Sequence, residues 1–101
     1  MYIIKEVRKL NLDQIIKISN ALANDSRFKI LQSISSNPKI SCTEVIKALD
    51  ITQPAVSHHL KILNDAGLIE INRKGQYGLC SLNNAVLEDY LKSIQKIFLK
   101  R

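Results

Sequence analysis

Apolar residues recur at three- and four-residue intervals through most of this chain and at two-residue intervals in one short stretch, which predicts a mainly helical fold with a single small hairpin. Leu12, Ile15, Ile16, Ile18 and Leu22 form an apolar stripe behind Asn11, a residue suited to capping a first helix that closes near Asn24. The preceding MYIIKEVRKL is either an extra turn or an arm. Asp25 stands at a capping position ahead of Phe28, Ile30, Leu31 and Ile34, and SSNP at 35–38 ends that second helix. KIS at 39–41 is too short for a helix and reads as an extended connector or short strand. Ser41 and Glu44 have the spacing of a capping box, which starts a third helix at about Cys42 and runs it to Leu49. LDIT then turns the chain tightly into a fourth helix, with Thr52 as cap and Pro54 in the first turn, where the missing N–H costs nothing. That helix runs to Gly67, a residue suited to the left-handed position past a helix end, with Leu68 folding back onto the last turn.

The period then changes. In LIEINRKGQYGLCSL, Ile69 and Ile71 alternate with polar residues, RKGQ forms a tip, and a second arm runs from Tyr77 to Leu82. From Asn83 helical spacing returns, with Val86 or Leu87, then Tyr90, Leu91, Ile94, Ile97 and Phe98 on one stripe of a fifth helix. Two short helices joined by a tight turn and followed by a basic-tipped hairpin have the layout of a winged helix-turn-helix.

That layout makes a demand on the fourth helix: a small and polar face opposite a core face. At about 100° per residue, with Gln53 at zero, Ser57 falls near ~40°, Lys61 near ~80°, Pro54 near ~100° and His58 near ~140°. Ala55, Ile62, Ala66, His59, Leu63, Val56 and Leu60 fill the arc from ~180° to ~340°. The adjacent histidines therefore diverge. His58 joins the polar face, whereas His59 lies in the apolar arc as a packed, hydrogen-bonded residue. Gln53 can pair bidentately with adenine, Ser57 can donate or accept at base or phosphate, Lys61 brings charge, and His58 can donate to a phosphate or a purine N7. An amphipathic helix alone would leave this a solvated face; the turn before it and the hairpin after it favour a groove-reading surface.

Composition narrows the picture. The 101 residues, 46% hydrophobic and 24% charged, suit one domain over 1–101, and a core this small often completes its burial against a second copy. Fifteen Lys and Arg against nine Asp and Glu give a formal charge of +6, which directs attention to polyanions and to nucleic acid first. Two cysteines 38 positions apart make neither a disulfide framework nor a paired-thiolate metal motif. With no apolar, cleavable leader pattern, and no apolar run approaching the ~20 residues that cross a bilayer, a soluble cytoplasmic protein with no membrane partner is expected.

ALANDSRFKIL (21–31), ITQPAVSHHLKILNDAGLI (51–69) and NRKGQYGLCSL (72–82) together resemble the ArsR family of bacterial winged-helix repressors, over about residues 12–98. The resemblance implies a homodimer joined through first and last helices, here Ile15, Ile18 and Leu22 with Leu87, Tyr90, Leu91, Ile94 and Phe98. It also implies a recognition helix in successive major grooves of double-stranded DNA. The DNA-binding set becomes Thr52, Gln53, Pro54, Ser57, His58 and Lys61 with Arg73, Lys74 and Gln76 of the wing, and the expected role is repression from an inverted-repeat operator. Many members of the family bind a metal, but the positions resembling its two metal-binding cysteines carry Ser41 and Thr43, and the last helix offers Glu88 and Asp89 with no histidine. No metal and no other cofactor is therefore expected. The short strand in a winged fold pairs with the returning wing strand, so Cys42 and Cys80 are either a redox-responsive pair, if their registers match, or two small buried residues. The inducer is left open. The rival to DNA reading is a winged fold used for protein partners; an enzyme is not expected, since there is no nucleophile with a nearby base and no phosphate-cradling glycine loop.

Overall fold

The computed structural model describes residues 10–37, 40–49, 52–72 and 78–99, apart from the side chains of residues 42, 46, 48 and 53. In chain order they form α1 (Leu12–Leu22), α2 (Asp25–Ser36), β1 (Ile40–Ser41), α3 (Cys42–Leu49), α4 (Gln53–Asp65), β2 (Ile69–Asn72), β3 (Leu79–Leu82) and α5 (Asn84–Phe98). This is the mainly helical, hairpin-bearing fold expected from the pattern. The arm at 1–9 and the wing tip at 73–77 lie outside the described residues.

Local chemistry accounts for the helix ends. Asn11 Oδ1 accepts from the Gln14 N–H at 2.8 Å, while Gln14 Oε1 accepts from the Asn11 N–H at 3.0 Å, a complete capping box. At α2 the cap is Asn24 rather than Asp25: its backbone is extended and its Oδ1 accepts from the Arg27 N–H at 3.0 Å. Asp25 instead becomes the first helical residue, where its carboxylate faces the positive end of the helix dipole. Ser41 Oγ accepts from the Glu44 N–H at 3.1 Å, and the Ser41 hydroxyl donates to Glu44 Oε1 at 3.1 Å. Asn83 caps α5 by accepting from the Val86 N–H at 3.2 Å.

The three strands pair antiparallel in the order β1-β3-β2. Cys80 is the centre of the sheet, with Ile40 opposite it on one side and Ile71 on the other. Around this sheet the helices bury Ile18, Ile30, Ile34, Val45 and Leu63, and the turn after α4 buries Leu68, each 2% exposed or less. Apolar burial of this kind contributes about 1.5–3 kcal/mol per large side chain.

A Schellman motif turns α4 into the hairpin. The Leu68 N–H donates to the Leu63 carbonyl at 3.1 Å and the Gly67 N–H to the Asn64 carbonyl at 2.9 Å, with Gly67 at φ +81°. Leu68, fully buried, is the apolar residue that folds back. A Cβ at residue 67 would meet Val86 at an ordinary 3.8 Å, so the cost of Gly67→Ala lies in the positive φ alone. We expect a loss of about 1–2 kcal/mol, read as a lower urea midpoint with an unchanged slope.

Candidate nucleic-acid interface

α4 starts where an unpaired backbone needs a partner: Thr52 is extended and its Oγ1 accepts from the Ala55 N–H at 3.4 Å, leaving the hydroxyl proton free to donate outward. Pro54 sits within the first turn, exposed. Beyond it the helix divides as its spacing demands. Val56, Leu60 and Leu63 are 1%, 5% and 0% exposed, while Ser57, His58 and Lys61 lie open to solvent. Four of the expected readers, Pro54, Ser57, His58 and Lys61, thus share one accessible face behind the cap at Thr52. The Gln53 side chain, and Arg73, Lys74 and Gln76 entirely, lie outside the described residues.

Lys61 has a competing partner one turn on. Its Nζ lies 2.9 Å from Asp65 Oδ2, with the two side chains 73% and 46% exposed. A pair this wet is worth little, so a phosphate can take the ammonium from Asp65 at small cost.

The histidines separate as expected. Their ring centroids are 5.9 Å apart and tilted by 50°. His58 is exposed; His59 is half-buried with its Nδ1 3.5 Å from Arg27 Nη1. Burial first, then the Arg27 and His58 charges, hold the His59 pKa below the ordinary 6.5. The neutral ring is thus the form folding favours. Its contribution to stability is complete above pH 6.5 and is lost as pH falls through the lower folded-state pKa.

Arg27 is a residue bonded to α4 that the spacing of apolar positions did not single out. Its Nε donates to the Ala21 carbonyl at 2.8 Å and its Nη2 to the Asn20 carbonyl at 3.2 Å, which satisfies the C-terminal end of α1 from outside that helix. One signal was available in the sequence. A cation in the first turn of α2 opposes that helix's own dipole, so it needs a negative partner elsewhere, and α1 ends nearby with no basic residue in its last turn.

The residues expected at a dimer contact divide into two groups. Ile15 and Ile18 are 7% and 2% exposed, spent in the protomer's own core, so neither offers a side chain to a partner. Leu22, Leu87, Tyr90 and Ile94 are half-buried. Tyr90 is held by α1: the Ser19 hydroxyl gives its proton to the Ile15 carbonyl at 2.8 Å, so the Tyr90 hydroxyl donates to Ser19 Oγ, also at 2.8 Å. Leu91 and Phe98 stand out, 56% and 73% exposed, and they are joined by Leu12, Ile16 and Ile97, three exposed positions outside the expected contact set. α5 has no fully buried residue at all.

The redox pairing depended on register, and the register sets Ile40, not Cys42, across from Cys80. Cys80 is fully buried, and the Cys42 side chain lies outside the described residues. Among the described residues no three His, Cys, Asp or Glu side chains gather to hold a metal ion, and no helix is long and apolar enough to cross a membrane.

A capped helix with a polar outer face, preceded by a second short helix and followed by a hairpin, defines a winged helix-turn-helix. The fold is shared with the solution structure of a homodimeric winged helix-turn-helix DNA-binding domain from Mycobacterium bovis. The TM-score is 0.69 at 23% identity, over 84% of this chain and 80% of that one. The family model described as "Bacterial regulatory protein, arsR family" matches residues 24–70. The chain is 35% identical to the transcriptional repressor SdpR of Bacillus subtilis over 72 residues, 71% of this chain and 79% of that protein. It is 31% identical to the arsenical resistance operon repressor of Staphylococcus aureus over 86 residues, 85% of this chain and 79% of the relative. The chain belongs to the arsR family of bacterial regulatory proteins, and it is a transcriptional regulator rather than an enzyme.

Proposed function

We propose that this protein is a cytoplasmic homodimeric repressor that binds an inverted-repeat operator in double-stranded DNA, one α4 per half-site in successive major grooves. The observation that carries this reading is the division of α4, with Pro54, Ser57, His58 and Lys61 outward and Val56, Leu60 and Leu63 inward. Ser57 and His58 read base edges or adjacent phosphates, Gln53 reads adenine, and Thr52 and the start of α4 hold a phosphate. Arg73, Lys74 and Gln76 contact the backbone beside the half-site. A homodimer presents this surface twice with a combined charge of twice +6. The named relatives, both repressors, support the sign of regulation.

Selection from random duplexes by the purified protein tests the reading. The expected product is a two-fold symmetric motif with half-sites about 10–10.5 base pairs apart, or a multiple of that spacing. If six or more phosphates are neutralised, affinity for it falls roughly a thousandfold between about 50 and 200 mM salt. A pool that stays random after several rounds refutes operator recognition.

A further inference from the structure

Arg27 connects three helices. It rises from the first turn of α2, holds the last carbonyls of α1 at Asn20 and Ala21, and directs its remaining Nη1 at His59 on α4. The chemistry of this last contact has one solution. A guanidinium has five N–H donors and no acceptor, and it does not deprotonate in proteins. His59 Nδ1 therefore has to be the acceptor, which leaves the ring neutral with its proton on Nε2. A proton added at Nδ1 removes the acceptor and sets two cations face to face.

The ring is well placed for this to matter. His59 follows His58 directly and lies one helical step from the outward face, midway along the thirteen-residue α4. Among the described residues the charged and titratable groups acting on it are Arg27, from α2, and His58, from its own helix, with no carboxylate of α1, α3 or β2 among them. Both charges acting on the ring among the described residues are thus positive.

We propose that Arg27 and neutral His59 form the positioning element that fixes α4 to the end of α1, so that operator affinity depends on an uncharged His59. This rests on the DNA-reading function proposed above. Neither residue touches DNA in this scheme; both act through the orientation of Ser57 and His58. Acidification weakens binding by charging His59, the opposite sign from charging an exposed histidine beside a phosphate, which strengthens it.

Two measurements on the full chain decide the matter. The first needs no DNA: nitrogen-15 NMR of the imidazoles at pH 7.5 is expected to show His59 neutral with Nε2 protonated, and a proton on Nδ1 overturns the proposal. The second measures affinity for the selected duplex between pH 7.5 and 5.5 in a His58→Gln background, which removes the opposing histidine. The dimer carries two His59 rings, and each linked proton changes the equilibrium by at most about tenfold per pH unit, so a loss of at least about fivefold on acidification is expected. Adding His59→Asn, whose amide oxygen stands near the position of Nδ1 and never charges, should keep the neutral-pH affinity within about threefold and flatten the profile. Persistence of the acid loss in that variant overturns the proposal. Arg27→Lys, one point charge in place of a three-way fork, should bind more weakly than the parent at pH 7.5 with an unchanged circular dichroism spectrum. Wild-type binding in this variant counts against the pair. Failure of the parent to select any duplex refutes DNA reading instead, and leaves the tautomer result standing.

Discussion

The double variant Ser57→Ala, His58→Ala should lose specific operator binding by at least about a hundredfold while remaining as stable as the parent. Both side chains are exposed on α4, so their truncation leaves no cavity and no buried group unsatisfied. Stability should then move by no more than about 0.5 kcal/mol. A lost base contact costs about 1–3 kcal/mol and a symmetric dimer loses each contact twice, so four contacts at the low end already give on the order of a thousandfold, and a hundredfold is a conservative floor. Binding to random duplex should change far less, because Lys61 and the rest of the net positive charge still attract phosphate. The contrast is the useful quantity, measured as the ratio of specific to competitor binding by fluorescence anisotropy. A ratio unchanged in the double variant would favour a winged fold that serves protein partners.

The site was legible in sequence where its causes are local. Thr52 followed by Pro54, and Gly67 followed by Leu68, fix the start and end of α4 through bonds spanning five residues or fewer, and those bonds are present. Angular spacing alone separated His58 from His59, because both belong to one rigid helix. What could not be read depends on partners far along the chain. Arg27 and His59 are 32 positions apart, and only the packing of α2 on α4 joins them. The choice of Asn24 over Asp25 as cap is equally hidden, since both side chains cap well and a one-residue shift of the helix start decides between them. The strand pairing of β1 with β3 was expected, but whether residue 40 or residue 42 faces Cys80 depends on a register that two short strands do not encode in their polarity.

The apolar stripes of α1 and α5 raise the same difficulty, and resolving it gives the second large prediction. A stripe of helical spacing names residues that avoid water without saying whether they meet their own core or a partner. Here α1 turns Ile15 and Ile18 inward and leaves Leu12 and Ile16 half exposed or more, while α5 leaves Leu91, Ile97 and Phe98 open. Half-buried Val86, Leu87 and Tyr90 hold one side of this fifteen-residue helix against the protomer's own core, and its exposed side is the surface a second copy would cover at Leu91 and Phe98. Leu91→Asp with Phe98→Asp places two carboxylates at the centre of that contact, where they cannot be desolvated without partners. The variant should sediment as an 11.4 kDa monomer, with its helix content largely kept because neither residue supports the core. Operator affinity should fall by a factor of about 10²–10⁴, the advantage lost when two half-sites are no longer engaged by one linked molecule. Binding to an isolated half-site should persist at the weak level of a single α4. A variant that still sediments as a dimer would move the contact away from α5. A monomer that keeps full operator affinity would mean that each protomer recognises DNA alone.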